Sequence, residues 1–155
     1  MVLRWNISMI YRILDIFFVI FHSSVILFNL FGWIWRKTRK YNLILLVLTG
    51  ASWLILGLIV GTLGYCPLTD WHFSVLDKLG KTNLPTSYIK YLADRLTGLD
   101  INQSLVDDVT LYSFLAALGL SVFFNLRDFL RRRNRTLTGW IFNYIITSYF
   151  LRFFR

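Results

Sequence analysis

Five side chains in this chain are of kinds that bind metal ions or move protons: Asp15, His22, Cys66, Asp70 and His72. Two imidazoles with carboxylates and a thiol can ligate Zn²⁺ or another transition ion, and two imidazoles alone can hold a haem iron axially. The candidate metal ligands are therefore Asp15, His22, Cys66, Asp70 and His72, and the candidate cofactor-binding pair is His22 with His72. Their spacing matches no established cage, and no catalytic motif accompanies them, so no catalytic residue is assigned. The competing reading makes Asp15 and His22 buried groups that hydrogen-bond to Ser, Asn or backbone, with Thr69 and Asp70 capping a helix. A small-molecule, lipid or proton-handling site is the third possibility. Cys66 is expected to be a packed small hydrophobe rather than a nucleophile, because only His22 or His72 could serve as its base.

The elements that position these residues follow from composition. Of 155 residues, 56% are hydrophobic and only 16% charged, with 18% aromatic, mean hydropathy +0.56 and formal net charge +9. A soluble domain carries roughly 25% charged residues, so this chain is read as a membrane protein with no room for a large separate catalytic domain. Its single cysteine excludes an internal disulfide and a thiolate cluster.

A span needs about 20 apolar residues. Ile16 to Trp35 carries no charge, Tyr41 to Thr69 supports a helix over about Asn42 to Gly64, and Val109 to Leu126 opens behind Asp107 and Asp108. A fourth stretch, Thr136 to Leu151, is short and flanked by arginines. It is read as an interfacial helix on the basic side, with a short fourth span as the alternative. The fold class is thus all-α, an integral membrane bundle of three or four spans, divided into a polytopic domain 1–135 and a basic C-terminal helix 136–155.

Loop charge gives orientation, because short loops rich in Lys and Arg stay in the cytoplasm. Arg36, Lys37, Arg39 and Lys40 follow span one; Arg127, Arg131, Arg132, Arg133 and Arg135, against Asp128, follow span three. Between spans two and three, Lys78, Lys81, Lys90 and Arg95 face six aspartates, for a net charge of −2. The N-terminus and loop 65–108 are therefore expected outside a bacterial inner membrane, with the basic loops in the cytoplasm against anionic lipid headgroups. Nucleic acid is not an expected partner, since the topology rule already accounts for the arginines. A cleaved signal peptide is not expected either: the first span is too long and its positive cluster lies at the wrong end.

The external loop reads as two short amphipathic helices. One covers Asp70 to Leu79, with Thr69 as N-cap, Gly80 beyond its end, and Phe73, Leu76 and Leu79 on one face; the other runs from Pro85 or Thr86 through Leu96, with Gly98 beyond. In span one, Ser8, Asp15, His22, Asn29 and Arg36 recur every seven residues, a polar stripe that must face protein. Gly50, Gly57, Gly61 and Gly64 form an expected close-packing surface on span two, and Ser113, Ala117, Ser121 and Asn125 a small-polar ridge on span three. His22 should lie roughly 10 Å along the helix from Asp15, so His72 has to fold inward to reach it.

Around Cys66-Pro67-Leu68-Thr69, together with His22 and Gly32-Trp33, the chain resembles a bacterial family of small membrane proteins known as a domain of unknown function. The similarity covers about Ile10 to Arg127 and leaves out the basic tail. Many relatives carry Glu in place of His72, which the resemblance ties to metal or hydrogen-bonding chemistry rather than to bis-histidine haem. The expected role is a non-catalytic accessory or interaction subunit in a larger membrane complex or homo-oligomer; the alternative is a metal-, haem- or lipid-binding protein using His22 and His72.

Overall fold

In the computed structural model the backbone is described over residues 2–153 and the side chains over residues 8–133. The described chain is helical, in the order α1 (Val2–Phe31), α2 (Arg39–Ala51), a π-helical turn (Ser52–Leu56), α3 (Gly57–Val60), α4 (Pro67–Lys78), α5 (Tyr88–Thr97) and α6 (Gln103–Phe153). Three segments are long and apolar enough to cross a membrane: Ser8–Phe31, Arg39–Val60 and Gln103–Arg133. The helical assignment of α6 is unbroken to Phe153. The expectation of an interfacial or fourth membrane helix over Thr136 to Leu151 rests on side chains outside the described residues.

The seven-residue stripe is the buried face of α1 at Asp15, His22 and Asn29, but not at its ends: Ser8 is exposed, and Arg36 is exposed beyond the end of the helix at Phe31. Asp15, His22 and Asn29 are 8%, 6% and 7% exposed, while Ile13, Ile16, Phe17 and Ile20 on other faces are open. Asn29 Nδ2 donates to Thr49 Oγ1 of α2 at 3.0 Å. The Asn42 side chain, fully buried on α2, donates to the carbonyls of Phe28 and Asn29 in the last turn of α1, the Phe28 carbonyl also accepting from Gly32 N. The expected ridge on span three also packs inward, with Ala117 and Ser121 buried and Asn125 Nδ2 donating to the Arg39 carbonyl.

Helix ends differ from the sequence expectation where backbone geometry overrides hydropathy. Span one stops at Phe31 rather than Trp35, because the chain turns at Gly32 to bring Asn42 back against it. A Cβ on Gly32 would stand 2.6 Å from the Phe28 carbonyl oxygen and 2.9 Å from Asn42 Nδ2. Gly32→Ala should therefore destabilise the fold by about 1–3 kcal/mol, since one of the clashing atoms is backbone. A lowered midpoint in thermal unfolding in detergent checks this.

Span two ends at Val60, not Gly64, because Gly61 adopts a left-handed φ of 81°. The four-glycine packing surface is accordingly divided. A Cβ on Gly50 would touch the Phe114 ring of α6 at 3.4 Å, so Gly50 does face a neighbouring helix. Gly57 admits the chain's own return, with the Thr62 carbonyl 2.9 Å from a built Cβ, whereas Gly61 and Gly64 lie past the helix with nothing within 4 Å. Their positive φ values show that they serve the turn out of the membrane rather than helix packing.

The two loop helices form as expected, with shifted ends. α4 starts at Pro67, with Cys66 rather than Thr69 as N-cap, because Pro67 suits the first helical position and needs no hydrogen-bond partner. α5 starts at Tyr88 and ends at Gly98, whose φ is 70°. Leu76, Tyr88 and Tyr91 form a small buried core with Phe73, Leu79, Leu84, Leu92 and Ile26 of α1 packed against it. Leu96, near the end of α5, is 76% exposed, and Tyr91 takes the inward position. α4 thereby packs along the N-terminal half of α1 and closes that end of the bundle.

Candidate functional site

The chemistry-bearing residues meet where α4 and α5 cover α1. Asp15 lies on the buried face of α1, immediately before the uncharged run that begins at Ile16. Its carboxylate receives the Arg95 guanidinium in a fork, Nη1 to Oδ1 at 2.8 Å and Nη2 to Oδ2 at 3.1 Å. It also receives His72 Nε2 at 2.9 Å on Oδ1. His72 is fully buried on the inner face of α4, stacked on Phe18 and edge-on to Tyr91. Arg95 Nη1 also reaches the Tyr91 hydroxyl at 2.6 Å, one turn back on α5. Three elements distant in sequence are thus joined through one carboxylate.

The electrostatics follow from this closure. Hydrogen bonding to Asp15 holds the Arg95 pKa above its ordinary value. Burial pushes the His72 pKa below its ordinary 6.5, outweighing the opposing effect of its hydrogen bond to Asp15. His72 is therefore the neutral donor to a carboxylate whose charge Arg95 balances. A group held neutral in the fold contributes stability above its unfolded pKa, near 6.5, and that stability is lost as pH falls below it through the lower folded value. Thermal stability should thus decline as pH falls below about 6.5, and more shallowly in His72→Gln, which removes this titration while keeping an amide donor.

Two turns further along α1, His22 is buried beside Tyr88, ring centroids 3.8 Å apart and nearly parallel. Its Nε2 lies 3.8 Å from Cys66 Sγ. His72 also borders Tyr88, with centroids 5.8 Å apart, so both candidate cofactor-binding imidazoles have this phenol ring as a neighbour. The Nδ1 atoms of His22 and His72 are buried without a hydrogen-bond partner among the described residues.

The five proposed metal ligands are divided rather than gathered. Asp15 pairs with His72, His22 with Cys66, and Asp70 is exposed and accepts a hydrogen bond from the Tyr65 hydroxyl at 3.1 Å. Among the described residues no group of three or more His, Cys, Asp or Glu side chains is placed to hold a metal ion. The reason is physical: Arg95 already supplies the cation at Asp15, and the first turn of α4 turns Asp70 outwards.

Sequence reasoning counted Arg95, Lys90 and Arg39 only as loop charge. Lys90 is buried and bridges Asp94 at 2.7 Å and Asp100 at 2.5 Å, and these hydrogen bonds raise its pKa. At the opposite end of the bundle, Arg39 donates Nη1 to Asp128 at 2.7 Å, Nε to the Trp33 carbonyl at 2.9 Å, and lies 4.7 Å over the Phe124 ring. A usable signal existed for Arg95: a carboxylate inside a span demands a cation, and Tyr88, Tyr91, Leu92 and Arg95 share one helix face.

No curated protein and no solved structure matches the chain significantly. A family model does match, over residues 12–126, spanning all three membrane helices' apolar cores and the cap between them. The chain belongs to DUF2784, the family described as protein of unknown function.

Proposed function

We propose that the protein is a non-catalytic accessory or interaction subunit of the bacterial inner membrane, with its N-terminus and residues 65–108 outside and its basic loops in the cytoplasm. The observation that carries this reading is the closure of the outer polar groups on one another, Asp15 on Arg95 and His72. An ion pair used in this way fixes the cap to the first span and presents a preformed surface, which is what an assembling subunit offers a partner. Large aliphatic side chains stand exposed along all three spans, facing lipid or a neighbouring helix. Anionic headgroups suit the basic residues at the cytoplasmic ends.

Native mass spectrometry after extraction in a mild detergent tests the reading. It expects a homo-oligomer or one stoichiometric partner polypeptide, and a clean monomer overturns it. The second reading, haem, a metal or a lipid held between His22 and His72, draws on their two unpartnered Nδ1 atoms. An added ligand mass that disappears in the His22→Ala/His72→Ala double variant would replace the first reading with it.

Orientation has its own test. In a Cys66→Ser background, a membrane-impermeant maleimide added to intact spheroplasts should label Lys78→Cys and spare Lys37→Cys, both exposed positions. The reverse pattern inverts the topology.

A further inference from the structure

A pocket of about 300 Å³ opens in the cap between α5 and the loop that follows α4, at the low end of the sizes that hold small ligands. Leu84 and Pro85, both half-buried, give it an apolar wall, and Tyr91 and Arg95 line it from α5. Arg95 carries five N–H groups, of which two go to the Asp15 carboxylate and one to the Tyr91 hydroxyl. Its Nε–H and the second Nη2 hydrogen, side by side on one edge of the guanidinium, have no partner among the described residues. Because Arg95 lines the pocket and its side chain is 36% exposed, that edge remains available to a ligand. Two parallel N–H groups match two oxygens of a phosphate or a carboxylate, and Lys81, exposed and also lining the pocket, adds a second cation.

The neighbouring charge has the opposite sign. Asp94 lines the same pocket and accepts from Lys90 Nζ at 2.7 Å and from Ile101 N at 3.1 Å, which leaves carboxylate lone pairs unused. Lys90 serves Asp100 as well, so one ammonium faces two carboxylates and a surplus negative charge stands beside the pocket. The pocket is thus complementary to a zwitterion, an oxyanion toward Arg95 and Lys81 with an ammonium toward Asp94. Its depth narrows the source. Asp15, which holds Arg95 from behind, stands seven residues along the membrane segment Ser8–Phe31, about 10 Å from its start, so the inner wall lies at the level of lipid headgroups.

We propose that this pocket holds a phosphoethanolamine headgroup, its phosphate on the free edge of Arg95 and on Lys81, and its ammonium donating to Asp94. A phospholipid supplies that group at the required depth, with its acyl chains in the bilayer beside the cap; free glycerophosphoethanolamine carries the same chemistry. A phosphocholine group has no N–H to give Asp94, and a phosphoglycerol group brings no positive charge to meet the surplus carboxylate. The site uses only the side of Arg95 that faces away from Asp15, so the Asp15–Arg95–His72 cluster stays intact.

The test uses the full chain, stripped of lipid in dodecyl maltoside and then given dioleoyl phosphatidylethanolamine, phosphatidylglycerol or phosphatidylcholine, with bound lipid counted by native mass spectrometry. One phosphatidylethanolamine should be retained about tenfold more strongly than either of the others. Lys81→Gln, at an exposed position that leaves the unfolding midpoint in place, should weaken retention by about threefold or more, and Asp94→Asn should erase the preference over phosphatidylcholine. Excess glycerophosphoethanolamine separates the sources: displacement of the lipid means that the headgroup is recognised from solution, and persistence of the lipid means that its acyl chains anchor it. No retained phosphatidylethanolamine, equal retention of the three lipids, or retention unchanged in Lys81→Gln overturns the proposal. Dependence on Lys81 distinguishes this lipid from one held between His22 and His72, and polypeptide stoichiometry is read from separate masses, so failure here and failure of the assembly reading stand apart.

Discussion

Arg95→Ala should destabilise the protein by about 3 kcal/mol, the low end of what removing one member of a buried ion pair costs. The Asp15 side chain retains only 12% exposure, so without the guanidinium its negative charge stays largely desolvated, relieved only by the hydrogen bond from His72. Water reaches the Arg95 side of the pair, which is 36% exposed, and keeps the cost from rising higher. For a chain of this size the loss corresponds to a fall of roughly 6–12 °C in the unfolding midpoint. The Asp15→Ala/Arg95→Ala double variant should be more stable than the sum of its singles, because it leaves no unpaired charge, and additive losses would show that the two groups do not interact. The cap should also loosen: Lys78→Cys or nearby cap backbone should become more accessible to labelling and proteolysis in Arg95→Ala, while the far ends of α1 and α2 keep their protection.

Arg39→Ala should cost a comparable amount, about 3 kcal/mol, at the opposite end of the bundle. Arg39 is 7% exposed and holds three groups together: the Asp128 carboxylate of α6, the Trp33 and Ile34 carbonyls of the first turn, and the Phe124 ring. Arg39→Lys separates geometry from charge. It keeps the positive charge, but a lysine ammonium cannot present the guanidinium's planar fork, so a loss of about 1–2 kcal/mol should remain with topology unchanged. Thermal unfolding with the labelling pattern of Lys37→Cys reads both at once. Full stability in Arg39→Lys would mean that Arg39 acts as a topological charge alone.

These two arginines mark the limit of what the residues alone convey. Apolar runs and charge placement were enough to read a three-span helical membrane protein with a helical loop, because hydrophobic length and the high cost of burying charge are local properties of the chain. The seven-residue recurrence likewise identified the buried face of the first span at Asp15, His22 and Asn29, since helical periodicity is local, although it extended too far, to the exposed Ser8 and Arg36. Helix ends escaped, as at Gly32 and Gly61, because a turn there depends on a neighbour's approach or a left-handed backbone rather than on hydropathy. The partners escaped for a deeper reason. That Asp15 meets Arg95, 80 residues away, and that Asp70 turns out to Tyr65 while His22 meets Cys66, depend on how α4 and α5 fold back over α1. Residue type determined by itself that each buried polar group needed a partner; only the tertiary packing decided which partner it received, because complementary charge is satisfied across space and not along the sequence.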